Sequence, residues 1–324
     1  MSPARIFGPV GLSFVGFGLA LATEPPSPHP MFPLEVRIGR PIALAFLRPQ
    51  PLGPTPERRE TSIGFLVAND FRRSGAVDED SETARLALRW RERLRPDGTD
   101  AWLEVPFVAR GGGMLDSAID AWHRNILGWE DPVRSQTDRY RSRVNLAGQY
   151  RFGSAAGLGD VSAGVGLPRP GFTARLAIKL PTGNAARLLG SGGVDLALSA
   201  ERQWRFRRRW TAGAMLGLTY QGSATAITRA RSWVDSACLY VGYQPNDSDT
   251  WIIQWVSEAS AMRSGVPAVD STYRTLAFGY RRRTGPRSYT ELTLVEDRDL
   301  FSGQAPWLAN QGPDVAFGVR FIWR

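Results

Sequence analysis

The chain has 324 residues, a hydrophobic fraction of 43% and a formal net charge of +9 at pH 7. Its length allows two ordinary domains or one large all-β unit, and no apolar stretch of about 18 residues follows the N-terminus, which excludes a helical membrane protein. Cys238 is the only cysteine, which excludes an intramolecular disulfide and a cysteine-based metal cluster.

Residues 1–22 have the three parts of a secretory signal peptide. Arg5 supplies the positive start, a glycine-rich apolar stretch follows, and Ala20-Leu21-Ala22 forms a small-x-small cleavage site. A buried N-terminal strand or an anchor helix is the alternative, although the proline and glycines of this stretch disfavour a helix. We therefore expect an exported chain. Because an exported protein does not meet nucleic acid, the positive charge indicates a surface or lumen that attracts anions.

Residues 23–60 begin with a Pro-rich stretch and continue as a mixed segment without a clear period. From residue 61 to residue 324, apolar and polar residues alternate in stretches separated by turn residues, which predicts β-strands. In residues 83–94, for example, Leu86 and Leu88 lie on one face. The predicted strands are 61–71, 83–94, 101–110, 137–146, 149–154, 159–167, 172–183, 194–205, 209–222, 233–245, 249–260, 272–283, 287–297 and 313–324.

These strands favour a transmembrane antiparallel β-barrel over a soluble sandwich. Most are about 9–13 residues long, which suits a tilted crossing of the hydrocarbon layer, and short and long connections alternate as in outer-membrane barrels. The all-β barrel is expected to have an even number of strands, about fourteen, or twelve if residues 149–167 are not a full hairpin. Tryptophans also lie near strand ends, where an interfacial girdle needs them, although core packing explains any single one: Trp90, Trp102, Trp204, Trp210, Trp233, Trp251 and Trp323.

The inward faces of the predicted strands carry more basic than acidic residues. Two interpretations remain open: ion pairs and hydrogen bonds fill the lumen, or the arginines bias a polar path toward anionic solutes. A shift of register by one residue would invert these faces. The lumen-lining candidates are Arg85, Arg89, Glu104, Arg139, Arg141, Arg143, Arg151, Arg175, Lys179, Glu201, Glu258, Glu291 and Arg320.

Residues 114–127 form the one clear amphipathic helix of the sequence. Its polar face carries Asp116, Asp120 and His123 at helical spacing, so these side chains could share a metal ion or orient the imidazole. Two carboxylates and one imidazole are a nonspecific signal, and we favour a short loop helix with a solvated polar face at the barrel mouth. No metal and no cofactor are predicted. A lipid-modifying enzyme needs a nucleophile beside a histidine, and Ser117 is poorly placed for His123.

Several strings, with the loop helix and the C-terminal strand, resemble a family of outer-membrane barrels of unknown function. The resemblance covers residues 30–324. Similar strings occur in barrels of phenol-degradation pathways, which are distantly similar to fatty-acid-transport barrels with an N-terminal plug, and this implies that residues 31–60 are a candidate periplasmic plug. The strings are Gly157-Leu158-Gly159-Asp160-Val161, Lys179-Leu180-Pro181-Thr182-Gly183 and Leu189-Gly190-Ser191-Gly192-Gly193-Val194-Asp195.

The resemblance implies a channel in the bacterial outer membrane for small, poorly water-soluble solutes. Together with the inward-facing arginines, it leads to the expectation of a non-enzymatic channel for passive passage of small hydrophobic, aromatic or anionic solutes. A structural barrel with a closed lumen is the first alternative, and a lipid-modifying enzyme that uses His123 is the second. The expected partners are outer-membrane lipid, a small-molecule solute, and the barrel-assembly machinery, which binds the C-terminal strand. That strand departs from the usual pattern, because Arg324 follows the terminal aromatic Trp323.

Overall fold

The computed structural model describes residues 31–74, 77–113, 115–117, 121, 124–125, 128, 142–146, 150–296 and 315–324. Its fifteen strands belong to one antiparallel sheet. The strands are β1 (Arg59–Ser74), β2 (Val77–Arg93), β3 (Asp100–Gly111), β4 (Arg143–Leu146), β5 (Tyr150–Phe152), β6 (Ala155–Leu158), β7 (Ser162–Arg169), β8 (Phe172–Lys179), β9 (Asp195–Arg205), β10 (Trp210–Gln221), β11 (Trp233–Tyr243), β12 (Asp249–Glu258), β13 (Tyr273–Gly285), β14 (Ser288–Glu296) and β15 (Val315–Trp323).

Twelve of the strands close into a barrel. β1 pairs with β2 on one side and with β15 on the other, where the register extends from Thr61 opposite Trp323 to Asn69 opposite Val315. β4 and β5 lie outside this ring and β6 is an extension of β7, so that fifteen strands less three leave twelve. The prediction of an even-numbered, antiparallel, all-β transmembrane barrel is confirmed, and the closed ring of the described strands has the alternative count of twelve.

Two of the predicted strands, 137–146 and 149–154, are not part of the barrel wall, and the strand pairing shows why. Of the wall, β4 pairs with Val77–Asp80, the outermost part of the long strand β2, whereas β3 pairs with β2 from Glu82 to Arg93. The short β4–β5 hairpin therefore extends the barrel mouth and does not enter the wall. β6 is likewise no separate wall strand, because it continues β7 along the same partner β3 after a break at 159–161.

Side chains alternate between a lipid-facing outer surface and a packed interior, as a strand period of two requires. Leu86 and Leu88 of β2 are exposed while Arg85 and Arg89 are buried, so the register-dependent faces predicted for this strand are the observed ones. β15 follows the same rule, with Phe317 and Phe321 outside and Arg320 inside. The exposed apolar residues form the belt that contacts hydrocarbon in outer-membrane barrels.

Aromatic residues line both edges of this belt. At the end with short turns, the Trp210 ring lies 4.6 Å from the ring of Tyr243, and the Trp251 ring lies 4.8 Å from the ring of Tyr280. At the end with long loops, Tyr220 and Trp233 are 5.1 Å apart. In outer-membrane barrels short turns face the periplasm and long loops face outward, and aromatic girdles mark both interfaces.

Residues 31–58, named here the inner segment, pass through the barrel from end to end and back. The first arm, residues 31–40, starts near the short turns, where the Met31 carbonyl accepts a hydrogen bond from Gln203 at 2.8 Å. Helix α1 (Pro41–Leu44) turns the chain at the long-loop end. The second arm, residues 45–58, returns to the short turns, where the Thr55 hydroxyl donates to the Gly98 carbonyl at 2.8 Å.

The remaining regular elements are a 3₁₀ helix (Ala185–Arg187) and helix α2 (Pro267–Asp270), both in loops at the long-loop end. Across the described ranges, no helix has both the length and the apolar character needed to cross a membrane. Residues 1–22, most of 114–127, and the individual candidates Asp120, His123, Arg139 and Arg141 lie outside the described residues.

Candidate functional site: the filled lumen

The candidate site is the barrel interior, where charged side chains of the wall meet the inner segment. At mid-height, Glu104 accepts hydrogen bonds from Arg89 and from Arg37 of the first arm, each at 3.0 Å, and also bonds Arg85. Glu35 of the first arm lies 3.1 Å from Arg89. It also lies 3.4 Å from Arg85 and 3.4 Å from Arg320. Strands β2, β3 and β15 thus present their charges to one short stretch of the inner segment.

A second group lies nearer the short turns. Asp100 bonds Arg91 at 2.7 Å and Arg175 at 3.1 Å, and Arg175 continues to Glu201 at 3.2 Å. The Glu201 carboxylate also accepts the backbone N–H groups of Leu52 at 3.0 Å and Gly53 at 2.7 Å. Because these acceptors and donors are buried, each satisfies a group that would otherwise carry a desolvation cost. The second arm is therefore held by its backbone.

A third group closes the long-loop end. Lys179 donates to Asp160 at 2.5 Å, to Ser191 Oγ at 2.7 Å and to the Gly193 carbonyl at 3.0 Å, which ties β8 to the neighbouring loop. Asp195 accepts the backbone N–H of Leu47 at 2.9 Å. Also at this end, Arg40 pairs with Asp70 at 3.3 Å and with Glu79, and Arg48 pairs with Glu258 at 3.5 Å.

Apolar contacts supplement these polar ones. Leu34 and Val36 pack against small and medium side chains of the wall, among them Ala68 and Ala277. Ile42 and Phe46, around the turn at α1, are buried against loop residues of the mouth. The guanidinium of Arg281 lies 3.6 Å from the centre of the Phe32 ring, and its two terminal nitrogens donate to the Phe32 and Pro33 carbonyls at 2.8 and 3.1 Å.

Little space remains between the inner segment and the wall. One cavity of about 40 Å³ is lined by groups that include Arg37, Arg85, Glu104 and Lys179. Another, of about 30 Å³, lies between Glu35, Arg320 and the wall of β1 and β14. A water molecule needs roughly 10–15 Å³, so these spaces suit a few waters.

The structure brings nine of the predicted lumen-lining residues into these buried groups, together with partners that the sequence did not indicate. They are Arg85, Arg89, Glu104, Arg175, Lys179, Glu201, Glu258, Glu291 and Arg320. Glu291 accepts a hydrogen bond from Arg281 at 3.0 Å and lies 3.6 Å from Arg320.

The other described candidates lie elsewhere. Arg143 keeps 31% of its side chain exposed and pairs with Asp78 at the mouth, because in β4 it is the apolar neighbour Val144 that faces inward. The predicted faces of this strand are therefore inverted. Arg151 of β5 is exposed, outside the buried groups. Asp116 is buried and accepts a hydrogen bond from Asn69 at 3.2 Å.

Several important residues of the lumen were missed by the sequence reasoning. Glu35, Arg37, Arg40 and Arg48 all belong to the inner segment, where the charges stand among apolar residues without strand periodicity. Four charges within an otherwise apolar stretch could have indicated buried pairing, because a buried charge needs a partner. Arg324, which departs from the usual terminal pattern, bonds Glu60 at 2.8 Å and the Pro54 carbonyl at 2.9 Å.

The closed twelve-stranded wall, its apolar outer belt and its polar interior together define an outer-membrane β-barrel. More narrowly, a family model described as "Protein of unknown function (DUF3187)" matches residues 29–302, and the chain belongs to that family. The resemblance expected from the sequence is thereby confirmed. No curated protein sequence matches the chain.

Among solved structures, the chain is similar to the COG4313 outer membrane channel from Pseudomonas putida F1. The identity is 13%, over 82% of this chain and 94% of that chain, with a TM-score of 0.50. A monoaromatic hydrocarbon channel, CymD, gives 10% identity over 87% and 90% with a TM-score of 0.42. The toluene transporter TodX of P. putida gives 9% over 89% and 93% with a TM-score of 0.41. The first similarity shows a shared barrel fold.

Proposed function

We propose that this protein is a non-enzymatic channel of the bacterial outer membrane, in which the inner segment is a movable plug. Its solutes are small and are hydrophobic, aromatic or anionic. One observation carries the proposal: beside its apolar contacts, the inner segment is attached to the wall by a series of buried ion pairs and hydrogen bonds. A segment that fills the lumen permanently would gain little stability from such contacts. Replacing buried ion pairs by well-packed apolar residues is often neutral or stabilises a protein by about 1–4 kcal/mol.

The wall charges are also paired among themselves. Arg89 bonds Glu104 within the wall, and Arg175 bonds both Asp100 and Glu201. When the inner segment leaves, these wall pairs keep their partners and water hydrates the remaining surface. A polar path then lines the barrel, and the cost of opening is limited to the contacts of the plug itself.

A disulfide between the second arm and the wall tests the movement. A Cβ atom added at Gly217 of β10 would lie 3.2 Å from the Pro49 Cβ, close to the roughly 3.5–4.5 Å of a disulfide. The pair Pro49→Cys and Gly217→Cys is made with Cys238→Ala, which removes the competing thiol, and Ser236→Ala, because the Ser236 hydroxyl lies 2.6 Å from the added Cβ.

Liposome swelling by small neutral and anionic solutes is the measurement. We expect solutes to pass the reduced protein and the oxidised protein to be closed, with the single variant Pro49→Cys indifferent to oxidation. Equal passage in both states would contradict a movable plug. Passage of no solute in either state would favour the alternative of a structural barrel with a closed lumen, which the burial of most of the inner segment supports.

The proposal includes the route to the membrane. An N-terminal signal peptide would direct export, and the barrel-assembly machinery would receive β15, whose outward Phe317 and Phe321 then contact lipid. Deleting residues 1–22 should leave the chain in the cytoplasm, and replacing Phe321 and Trp323 by serine should lower the folded fraction in outer-membrane extracts. Normal outer-membrane yields from both variants would contradict this route.

A further inference from the structure

The buried charges at mid-height are not balanced. Ion pairs of 4.0 Å or less connect five cations, Arg37, Arg85, Arg89, Arg281 and Arg320, with three anions, Glu35, Glu104 and Glu291. Among the described residues, five less three leaves an excess of two positive charges in this central cluster. Glu60 also faces Arg89 and Arg320 but forms its own pair with Arg324. Buried charge requires a counter-charge, so the cluster favours a further anion.

Glu35 is the anion of the cluster that comes from the inner segment. Its carboxylate contacts Arg85, Arg89 and Arg320 at 3.1–3.4 Å, longer than the roughly 2.7–2.9 Å of a strong charge-assisted hydrogen bond. Glu104, which belongs to the wall, is held by closer contacts to Arg37, Arg85 and Arg89. Of the two carboxylates that share these arginines, Glu35 is therefore the one that can be replaced.

The surroundings of Glu35 are suited to an acid with an apolar body. The cavity beside it is bounded by the inward-facing Leu66 as well as by Arg320, and the wall there has no side chain at Gly64 and Gly318. A side chain at Gly64 would approach both Arg320 and the Glu35 carboxylate, within 3.7–3.9 Å. The absence of a Cβ at this position keeps the space next to the carboxylate open.

We infer that Arg85, Arg89 and Arg320 form a binding site for the carboxylate of a small aromatic or hydrophobic acid. Glu35 occupies this site in the closed barrel as an internal placeholder. An incoming acid replaces the Glu35 carboxylate on the three arginines, and the first arm loses its mid-height attachment. The inference names one solute class of the proposed channel and rests on that function for its physiological meaning, but binding itself does not require passage.

Equilibrium dialysis of the purified full chain in detergent tests the site, with benzoate as the probe and benzamide as its neutral counterpart. Glu35→Gln keeps the side-chain shape and removes the competing charge, so benzoate binding should strengthen about ten- to a hundredfold, as expected for hydrogen bonds to a charged group. Benzamide binding should not change. Glu57→Gln is the matched control, since Glu57 is an exposed acid of the same segment.

Adding Arg89→Gln to Glu35→Gln should remove the gain, and Arg89→Lys should restore part of it. The inference is overturned if Glu35→Gln binds benzoate no better than the wild type, or if the gain survives the loss of Arg89. If the disulfide experiment fails but Glu35→Gln strengthens benzoate binding, the proposed channel function is refuted and the carboxylate-binding site is supported. If the disulfide closes the channel but benzoate binding does not change, the channel function is supported and the carboxylate-binding site is refuted.

Discussion

Replacing Glu201 by glutamine is expected to loosen the second arm of the inner segment while the barrel wall stays folded. The carboxylate accepts the N–H groups of Leu52 and Gly53 and faces Arg175. Glutamine has a single acceptor oxygen, so one N–H loses its partner and the other loses a charged acceptor. Hydrogen bonds to charged groups contribute about 1.5–3 kcal/mol each, which makes a loss of about 3 kcal/mol a fair expectation.

Amide hydrogen exchange measures this loss at the two residues concerned. About 3 kcal/mol corresponds to roughly a hundredfold faster exchange at Leu52 and Gly53, if exchange proceeds through local opening of the arm. The amide of Leu34, which donates to Gln254 at 3.0 Å in the first arm, serves as an internal reference. The Glu57→Gln variant controls for charge. Unchanged exchange at Leu52 and Gly53, or equal acceleration at Leu34, would refute the assignment of Glu201 as the anchor of the second arm.

Three further predictions concern other parts of the molecule. Leu216 of β10 is 69% exposed near the middle of the lipid belt, so Leu216→Arg should destabilise the barrel by about 2–4 kcal/mol in lipid vesicles, with Leu216→Ala as the control, measured by denaturant titration. At Gly279 a Cβ would lie 2.2 Å from a Leu34 methyl, so Gly279→Val should speed exchange of the Leu34 amide by at least about tenfold through overpacking. Asp270, in the mouth loop, is partly desolvated, but N–H donors of Ser264 and Gly265 hold its pKa below the ordinary value of 3.8. Its contribution to loop stability is therefore present at neutral pH and lost as the pH falls through that lowered pKa. Asp270→Asn should abolish the pH dependence of the loop's protection factors, in which the intrinsic pH dependence of exchange is divided out, and a variant that keeps it would contradict this reasoning.

The strand pattern predicts most of the wall because each wall strand faces lipid on one side only. Leu86 and Arg85 of β2 differ in polarity and occupy opposite faces, so the alternation alone separates them. For Val144, the alternation of apolar and polar residues does not determine which face the side chain occupies. An apolar side chain suits lipid, but it equally suits the packed mouth around Phe46, and the sequence around β4 does not distinguish the two. The strand was therefore assigned to the wall with its faces inverted.

Only the wall residues of the central cluster could be predicted from the sequence. The wall arginines follow a period, so Arg85, Arg89 and Arg320 could be predicted as inward-facing. Glu35 meets Arg320 across 285 positions of the chain, and no local pattern specifies such a pairing. The charges of the inner segment indicate from the sequence that they are paired, but their partners become evident only in the closed barrel.

The path of the inner segment has a consequence for the order of folding. The segment continues directly into β1, and β1 forms the seam with β15, the last strand of the chain. The turn of the segment at α1 lies at the long-loop end of the barrel. If the barrel closed first, the folded-back segment would have to enter through a lumen lined with the charges that bind it. A barrel that closes last encloses an already docked segment. Weakening the Glu201 and Glu104 attachments should therefore alter the rate at which the seam forms, as well as the stability of the closed state.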